Sequence, residues 1–310
     1  MVKEISRKMA KKIAIYNWNG IFNDIIPELE KKYELVQDHK KADLVCLWNE
    51  IEKAGWKEIV EDTQKRGKKS ILFQQGVWGI DRVGPPFNEP ILSDLVCVWG
   101  KGDKDRLIKY NVPEKKIIIT GTPIIKHLKP KQEHNGKNIL FALEHWDYDE
   151  VPENMIVARE LRKLKGVNLI TKGLKRENNL DIYENIVYSE RQDPSHIDIV
   201  ADILSKTDLL VAISESTIAL LAQILDIPVI IADIWIPKPR AGETEYLNFK
   251  GNFSKAITKV KLDDLNKEIY NQLKHPEILR EERAKNAIIN GGIEIKDPLS
   301  NILKVIDENI

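Results

Sequence analysis

The residues of this chain best suited to chemistry stand where apolar runs stop. Leu209-Leu210-Val211-Ala212-Ile213 reads as a buried strand, and Ser214, Glu215, Ser216 and Thr217 follow it, just ahead of an apolar helix over 216–225. Hydroxyl side chains at a helix N-terminus, beside unpaired backbone N–H groups, suit a phosphate. The same residues also suit an ordinary Ser/Thr helix cap, and the sequence leaves both readings open. Glu144 and His145 follow an apolar run at 138–143, and Lys172 follows one at 168–171. Lys172 reads as a solvated surface lysine or as a cation facing a diphosphate; His145 reads as a cleft side chain or a plain loop residue. Arg191, in Ser189-Glu190-Arg191-Gln192-Asp193-Pro194, borders a nucleotide base or sits in a simple turn.

Earlier in the chain, Trp18-Asn19-Gly20 follows an apolar run at 13–16. Gln74-Gln75-Gly76-Val77-Trp78-Gly79-Ile80-Asp81 follows another at 70–73, and its glycines permit close backbone approach. Trp18 and Trp78 read as the floor of a pocket or as structural residues at the rim of a core. The sequence has no Walker or G-x-G-x-x-G pattern. Nor does it show a Ser/His/Asp or Cys/His nucleophile arrangement, or cysteines and histidines at zinc spacing. Cys46 and Cys97 both lie inside apolar runs and read as small buried hydrophobes.

Positioning these loops requires strands and helices in alternation, and the pattern supplies them. Apolar runs at 13–16, 33–36, 44–47, 70–73, 95–98 and 116–120 read as strands, with helices predicted over 21–32, 51–66 and 103–110. The alternation begins again beyond a polar stretch at 129–137. Strands are expected at 138–143, 168–171, 185–188, 208–213 and 228–232, and helices at 153–165, 196–205 and 216–225. Three more helices close the chain, at 263–274, 276–290 and 298–308. Strands that are almost wholly apolar indicate parallel sheets covered on both faces. The expectation is therefore an α/β chain of two Rossmann-like domains, 1–130 and 131–310, with the last helices packing back on the first. Ligands of such sheets bind beyond the strands' carboxyl ends. With 310 residues there is material for two cores, and 48 Lys+Arg against 48 Asp+Glu leave no net charge to favour nucleic acid. A polar N-terminus predicts no signal peptide and no apolar stretch reaches membrane length, so a cytoplasmic protein is expected.

Two blocks carry a resemblance to a known family. Val98-Trp99-Gly100-Lys101 through Lys116-Ile117-Ile118-Ile119-Thr120-Gly121-Thr122-Pro123 resembles a segment of GT-B glycosyltransferase-like proteins. Residues 208–217 followed by Ile227-Pro228-Val229-Ile230 resemble a second block of the same proteins, nearest to the CDP-glycerol glycerophosphotransferase and capsule or lipopolysaccharide glycosyltransferase group. The resemblance implies a GT-B-like fold, with two parallel sheets facing across a cleft. It implies transfer of a sugar from a nucleotide-diphosphate sugar to an acceptor hydroxyl, with no metal and no cofactor beyond that co-substrate. Ser214, Ser216 and Thr217 would contact donor phosphates, and Glu215 would turn away from them or bind sugar or ribose hydroxyls. Lys172, Glu144, His145 and Arg191 would complete the donor side. Trp18, Asn19, Gly20, Gln75, Gly76 and Trp78 would face the acceptor. Gln75 stands where the group has a histidine, and an amide is no general base at neutral pH. An inverting reaction would then need a carboxylate as base, and Asp81 is the candidate named for it. Lys172-Gly173 replaces an H-P pair, and Ile213 and Leu221 stand where E-x7-E carboxylates would be, so stereochemistry stays open. Three rival expectations are a non-hydrolysing nucleotide-sugar epimerase, an inert nucleotide-binding module and a DNA-base glycosyltransferase.

Overall fold

The computed structural model describes residues 11–16, 23–48, 55–77, 91–134, 137–146, 149–150, 152–173, 180–189, 193–234 and 254–310. The first sheet holds β1 (Lys12–Ile15), β2 (Glu34–Val36), β3 (Leu44–Leu47), β4 (Lys69–Phe73), β5 (Leu95–Val98) and β6 (Ile117–Ile119). All pair in parallel, in the order β2-β1-β3-β4-β5-β6. Parallel neighbours need crossovers, supplied here by α1 (Ile26–Glu30), α2 (Trp56–Lys65) and α3 (Lys101–Lys109). Side chains alternate along each strand. Ile13, Cys46 and Phe73 meet Leu29 of α1 on one face, while Ala14, Val45 and Leu72 meet Val60 of α2 and Leu107 of α3 on the other.

The second sheet repeats the plan with β7 (Asn138–Ala142), β10 (Asn168–Gly173), β11 (Ile186–Tyr188), β12 (Leu209–Ala212), β13 (Val229–Asp233) and β14 (Thr258–Lys261). Its order is β11-β10-β7-β12-β13-β14, again all parallel. A short antiparallel pair, β8 (His145–Trp146) and β9 (Asp149–Glu150), lies between β7 and α4 (Pro152–Leu161). Helix α4 and α7 (Leu262–Lys274) cover one face; α5 (His196–Ser205) and α6 (Thr217–Ile224) cover the other. The face under α5 and α6 belongs to the same apolar cluster as the α1 face of the first sheet, so one core runs through both halves.

The chain closes with α8 (Arg280–Ile289) and α9 (Pro298–Asn309). Ile302, Val305 and Ile306 of α9 join that shared core beside the first sheet. At its rim Asp307 accepts from Lys32 at 2.8 Å and from Tyr33 Oη at 2.6 Å. Burial, followed by the bond to Asp307, pushes the Tyr33 phenol up to about 12. Among the described residues no helix is long and apolar enough to cross a membrane.

Three differences from the sequence reading have local reasons. The helix expected from 276 starts at Arg280, because Leu279 takes a left-handed φ of +59° that no helix interior accommodates. The helix expected from 51 is described from Trp56, after Gly55 at φ +70°. β14 escaped the sequence reading because its Thr-Lys-Val-Lys run is half polar, as suits an edge strand.

Helix α8 meets α3 through two glycines. A Cβ on Gly100 would lie 2.2 Å from the Ile289 carbonyl oxygen, and one on Gly102 would lie 2.0 Å from Asn290 Oδ1. A backbone carbonyl cannot swing aside as a flexible side chain can. Gly100→Ala should therefore lower the unfolding free energy by about 1–3 kcal/mol. Urea denaturation reads this as a lower midpoint with unchanged slope, and an unmoved midpoint would show that α8 yields freely.

Candidate functional site

The carboxyl end of β12 leads through Ile213 to Ser214 and Glu215, both buried, and then to α6. Ser216 occupies the N-cap position in an extended conformation (φ −140°, ψ 175°), yet its side chain makes no capping hydrogen bond. The helix-cap reading thus fails for Ser216. Its hydroxyl stands at an eight-residue helix whose first N–H groups have no intrahelical partner.

Ser214 is differently placed. Its Oγ donates to Glu144 Oε2 at the end of the neighbouring strand β7. Glu144 is itself fixed by a reciprocal pair: its N–H donates to Asn154 Oδ1 at 3.1 Å, and Asn154 Nδ2 donates to its carbonyl at 2.8 Å. A serine hydroxyl carries one proton. With that proton committed to Glu144, Ser214 offers an incoming phosphate only lone pairs. Ser216, Thr217 and the first N–H groups of α6 remain as donors at this edge.

Glu215, predicted to avoid phosphates, pairs with Lys259 Nζ of β14 at 3.2 Å. Lys172 is 7% exposed, so the surface-lysine reading fails. Its Nζ donates to the carbonyls of Gly173 at 2.8 Å and Ser189 at 3.3 Å, tying the carboxyl ends of β10 and β11 together. Beside it Ser189 Oγ meets His196 Nδ1 at 2.8 Å. Glu215 is thus balanced by Lys259 along this edge. The backbone of His145 lies in β8, opposite Glu150, while its side chain lies outside the described part. Trp18, Asn19, Gly20, Trp78, Asp81 and Arg191 also lie outside the described residues.

Facing α6 is the loop after β4. Val77 N–H donates to Thr217 Oγ1 at 3.0 Å, and a Cβ on Gly76 would come within 2.5 Å of the same oxygen. Glycine at 76 is what lets the two loops touch. Thr217 accepts in this contact and keeps its own proton for a further acceptor. The adjacent Gln74, almost fully buried, organises the loop from beneath. Gln74 Oε1 accepts from Trp99 N–H at 2.7 Å, and its Nε2 donates to the Gly76 carbonyl at 2.9 Å and to Asp103 Oδ2 at 2.9 Å. Trp99 Nε1 returns a bond to the Gln74 carbonyl at 2.9 Å. Burial pushes the Asp103 carboxyl up, against the opposing pull of Arg106 and Gln74.

The sequence reading brought Glu144, Ser214, Gly76 and Thr217 to one place without showing that they touch. It missed Gln74, Asn154 and Lys259. The polar Gln74, next to a wholly apolar strand, was a signal for the first. Nothing local marked Lys259, which reaches the site only through the order of the sheet.

No family model matches the chain, and no curated protein matches it. Solved structures do match. The wall teichoic acid polymerase TagF with CDPG aligns with TM-score 0.59 at 14% identity, over 97% of this chain and 88% of that one. UDP-GlcNAc 2-epimerase from Neisseria meningitidis, bound to UDP-GlcNAc, aligns with TM-score 0.58 at 14% identity, over 93% and 80%. The glycotransferase of kitacinnamycin aligns with TM-score 0.53 at 11% identity, over 97% and 100%. The chain therefore shares the two-sheet α/β fold of these structures. The likeness is one of fold alone.

Thr217→Val keeps the side chain's shape and removes the acceptor for Val77 N–H. Loss of that partly buried bond should cost about 1 kcal/mol of stability. It should also quicken amide exchange at Val77, measured by NMR. An unchanged Val77 amide would mean that the two loops do not rest on each other.

Proposed function

We propose that this chain moves a sugar from a nucleotide-diphosphate sugar to an acceptor hydroxyl, with the donor diphosphate at the N-terminus of α6. The observation that carries the reading is the free capping capacity of Ser216, beside a Thr217 whose proton is available, at the carboxyl edge facing the Gly76-Val77 loop. The helix dipole and unpaired N–H groups would stabilise the charge that develops on the departing diphosphate. The proposal places donor recognition on the second sheet and acceptor recognition around Gln75 and Gly76, so that the Val77–Thr217 contact sets the distance between them. Glu144, held by Asn154 and holding Ser214, would face the sugar better than the phosphates, because a carboxylate repels them and accepts from hydroxyls. No cofactor or metal is invoked. Gln75 would orient the acceptor, and the base of an inverting reaction would be a carboxylate, for which Asp81 stays the proposal. The domain division near residue 130, closing about the 129–137 stretch, belongs to the same reading.

A second reading is a catalytically inert nucleotide-binding module, favoured by the amide of Gln75 in place of a base. Both readings bind donor, and only the first consumes it when an acceptor is added. Consumption without acceptor would instead identify an epimerase.

A thermal-shift screen of nucleoside diphosphates and nucleotide sugars finds the donor, because a ligand specific for the native state raises Tm. Calorimetry of the tightest nucleoside diphosphate, and of its bare nucleoside, then tests the site. Ser216→Ala combined with Thr217→Ala removes two hydrogen bonds to charge, each worth about 1.5–3 kcal/mol. Diphosphate affinity should fall about a hundredfold or more while nucleoside affinity barely changes. A folded double variant that binds the diphosphate as tightly as the parent refutes the assignment.

A further inference from the structure

One histidine joins the two halves at a place the donor reading does not use. His127 ends the 3-10 turn Pro123–His127, just beyond β6. Its Nε2 lies 2.8 Å from Asp24 Oδ2, in the turn ahead of α1. Its Nδ1 lies 2.8 Å from Asp198 Oδ1, in the first turn of α5. Helix α1 covers the first sheet and α5 the second, so the ring spans the halves. An ionised carboxylate only accepts, and each contact therefore needs an N–H on the ring. Neutral imidazole has one N–H and imidazolium has two. Both contacts form together only on the charged ring.

The surrounding charges decide which contact is the weaker. Asp24 also takes Lys126 Nζ at 2.8 Å. On α5, Asp202 is held by Lys129 at 3.1 Å and Lys206 at 2.7 Å, leaving Asp198 to His127. Burial disfavours charge on the ring, but the hydrogen bonds with Asp24 and Asp198 outweigh it and hold the imidazole above its ordinary 6.5. Burial likewise lifts Asp24, and there Lys126 and His127 prevail, leaving it below 3.8. The Asp198 side chain is 62% exposed and that of Asp24 is 23% exposed. Once the ring is neutral, Asp198 can return to water at little cost, whereas Asp24 is more enclosed and keeps Lys126.

We propose that Asp24, His127 and Asp198 form a proton-operated clasp between the two halves, closed at both ends on the charged ring and opening at Asp198 on the neutral one. A folded value above the unfolded one places the clasp's full contribution below about pH 6.5. That contribution is lost as pH rises through the folded value. The Asp24 arm fails only at the acid end, as pH falls through that residue's lowered value.

The test is a pair of double-mutant cycles read by urea unfolding at about pH 6 and about pH 9, independent of any activity. His127→Gln with Asp198→Asn should show coupling of roughly two- to fivefold in the unfolding equilibrium constant at the lower pH, and none at the higher. His127→Gln with Asp24→Asn should show coupling at both. Asp198 coupling that is equal at both pH values, or absent at both, overturns the clasp, as does selective loss of the Asp24 coupling. Should a variant fail to fold, NMR titration of the ring in the unaltered protein decides. A midpoint above 6.5 is expected, and one at or below 6.5 overturns the proposal.

Discussion

The inner strands of two parallel sheets must hide both their faces, and that constraint organises this protein. It forces helices onto four sheet faces, and the parallel pairing collects the strands' carboxyl ends along one edge of each sheet. The chain economises by letting one apolar cluster serve both halves. Ile13 and Phe73 of the first sheet, Leu140 and Leu210 of the second, and Ile302 of α9 all belong to it. With that core shared, the β4–Val77 loop and the start of α6 are brought within a hydrogen bond of each other. The polar residues of the site inherit their positions from apolar ones.

The site shows a division of labour that follows from donor and acceptor counting. Gln74 spends its whole side-chain amide on structure, fixing Trp99, Asp103 and the Gly76 carbonyl. Likewise Ser214 spends its proton on Glu144, while Ser216 caps nothing. Two serines two positions apart thus hold opposite offices, one in the scaffold and one at the edge.

Both sheets were legible in the sequence because their strands are apolar on both faces, as Leu44-Val45-Cys46-Leu47 and Leu209-Leu210-Val211-Ala212 illustrate. The edge strand β14 was not, since burial on one side only leaves Lys259 and Lys261 in its pattern. The halt at Leu279 was equally hidden: a leucine gives no warning of a left-handed backbone. At the site, the residue types following each strand were visible, and their placement at the sheet edges follows from topology. What spacing could not reveal was partner choice. Lys172, read as a surface residue or a ligand contact, is buried and donates to two carbonyls, and Glu215 found a partner on a strand that the pattern did not disclose.

Helix α9 carries a consequence for how the protein is made. The face of the first sheet that it covers includes Ile13, Cys46 and Ile71, yet α9 follows β6 by about 180 residues. At roughly 5–20 residues per second of synthesis, an apolar surface emerging with the first sheet waits on the order of ten to forty seconds for its cover. The Lys32–Asp307 pair closes a chain segment of 275 positions, whose closure entropy must be met before its contacts form. The nascent first half is therefore a natural client for a chaperone. A fragment cut between β6 and β7 would be sticky rather than merely smaller.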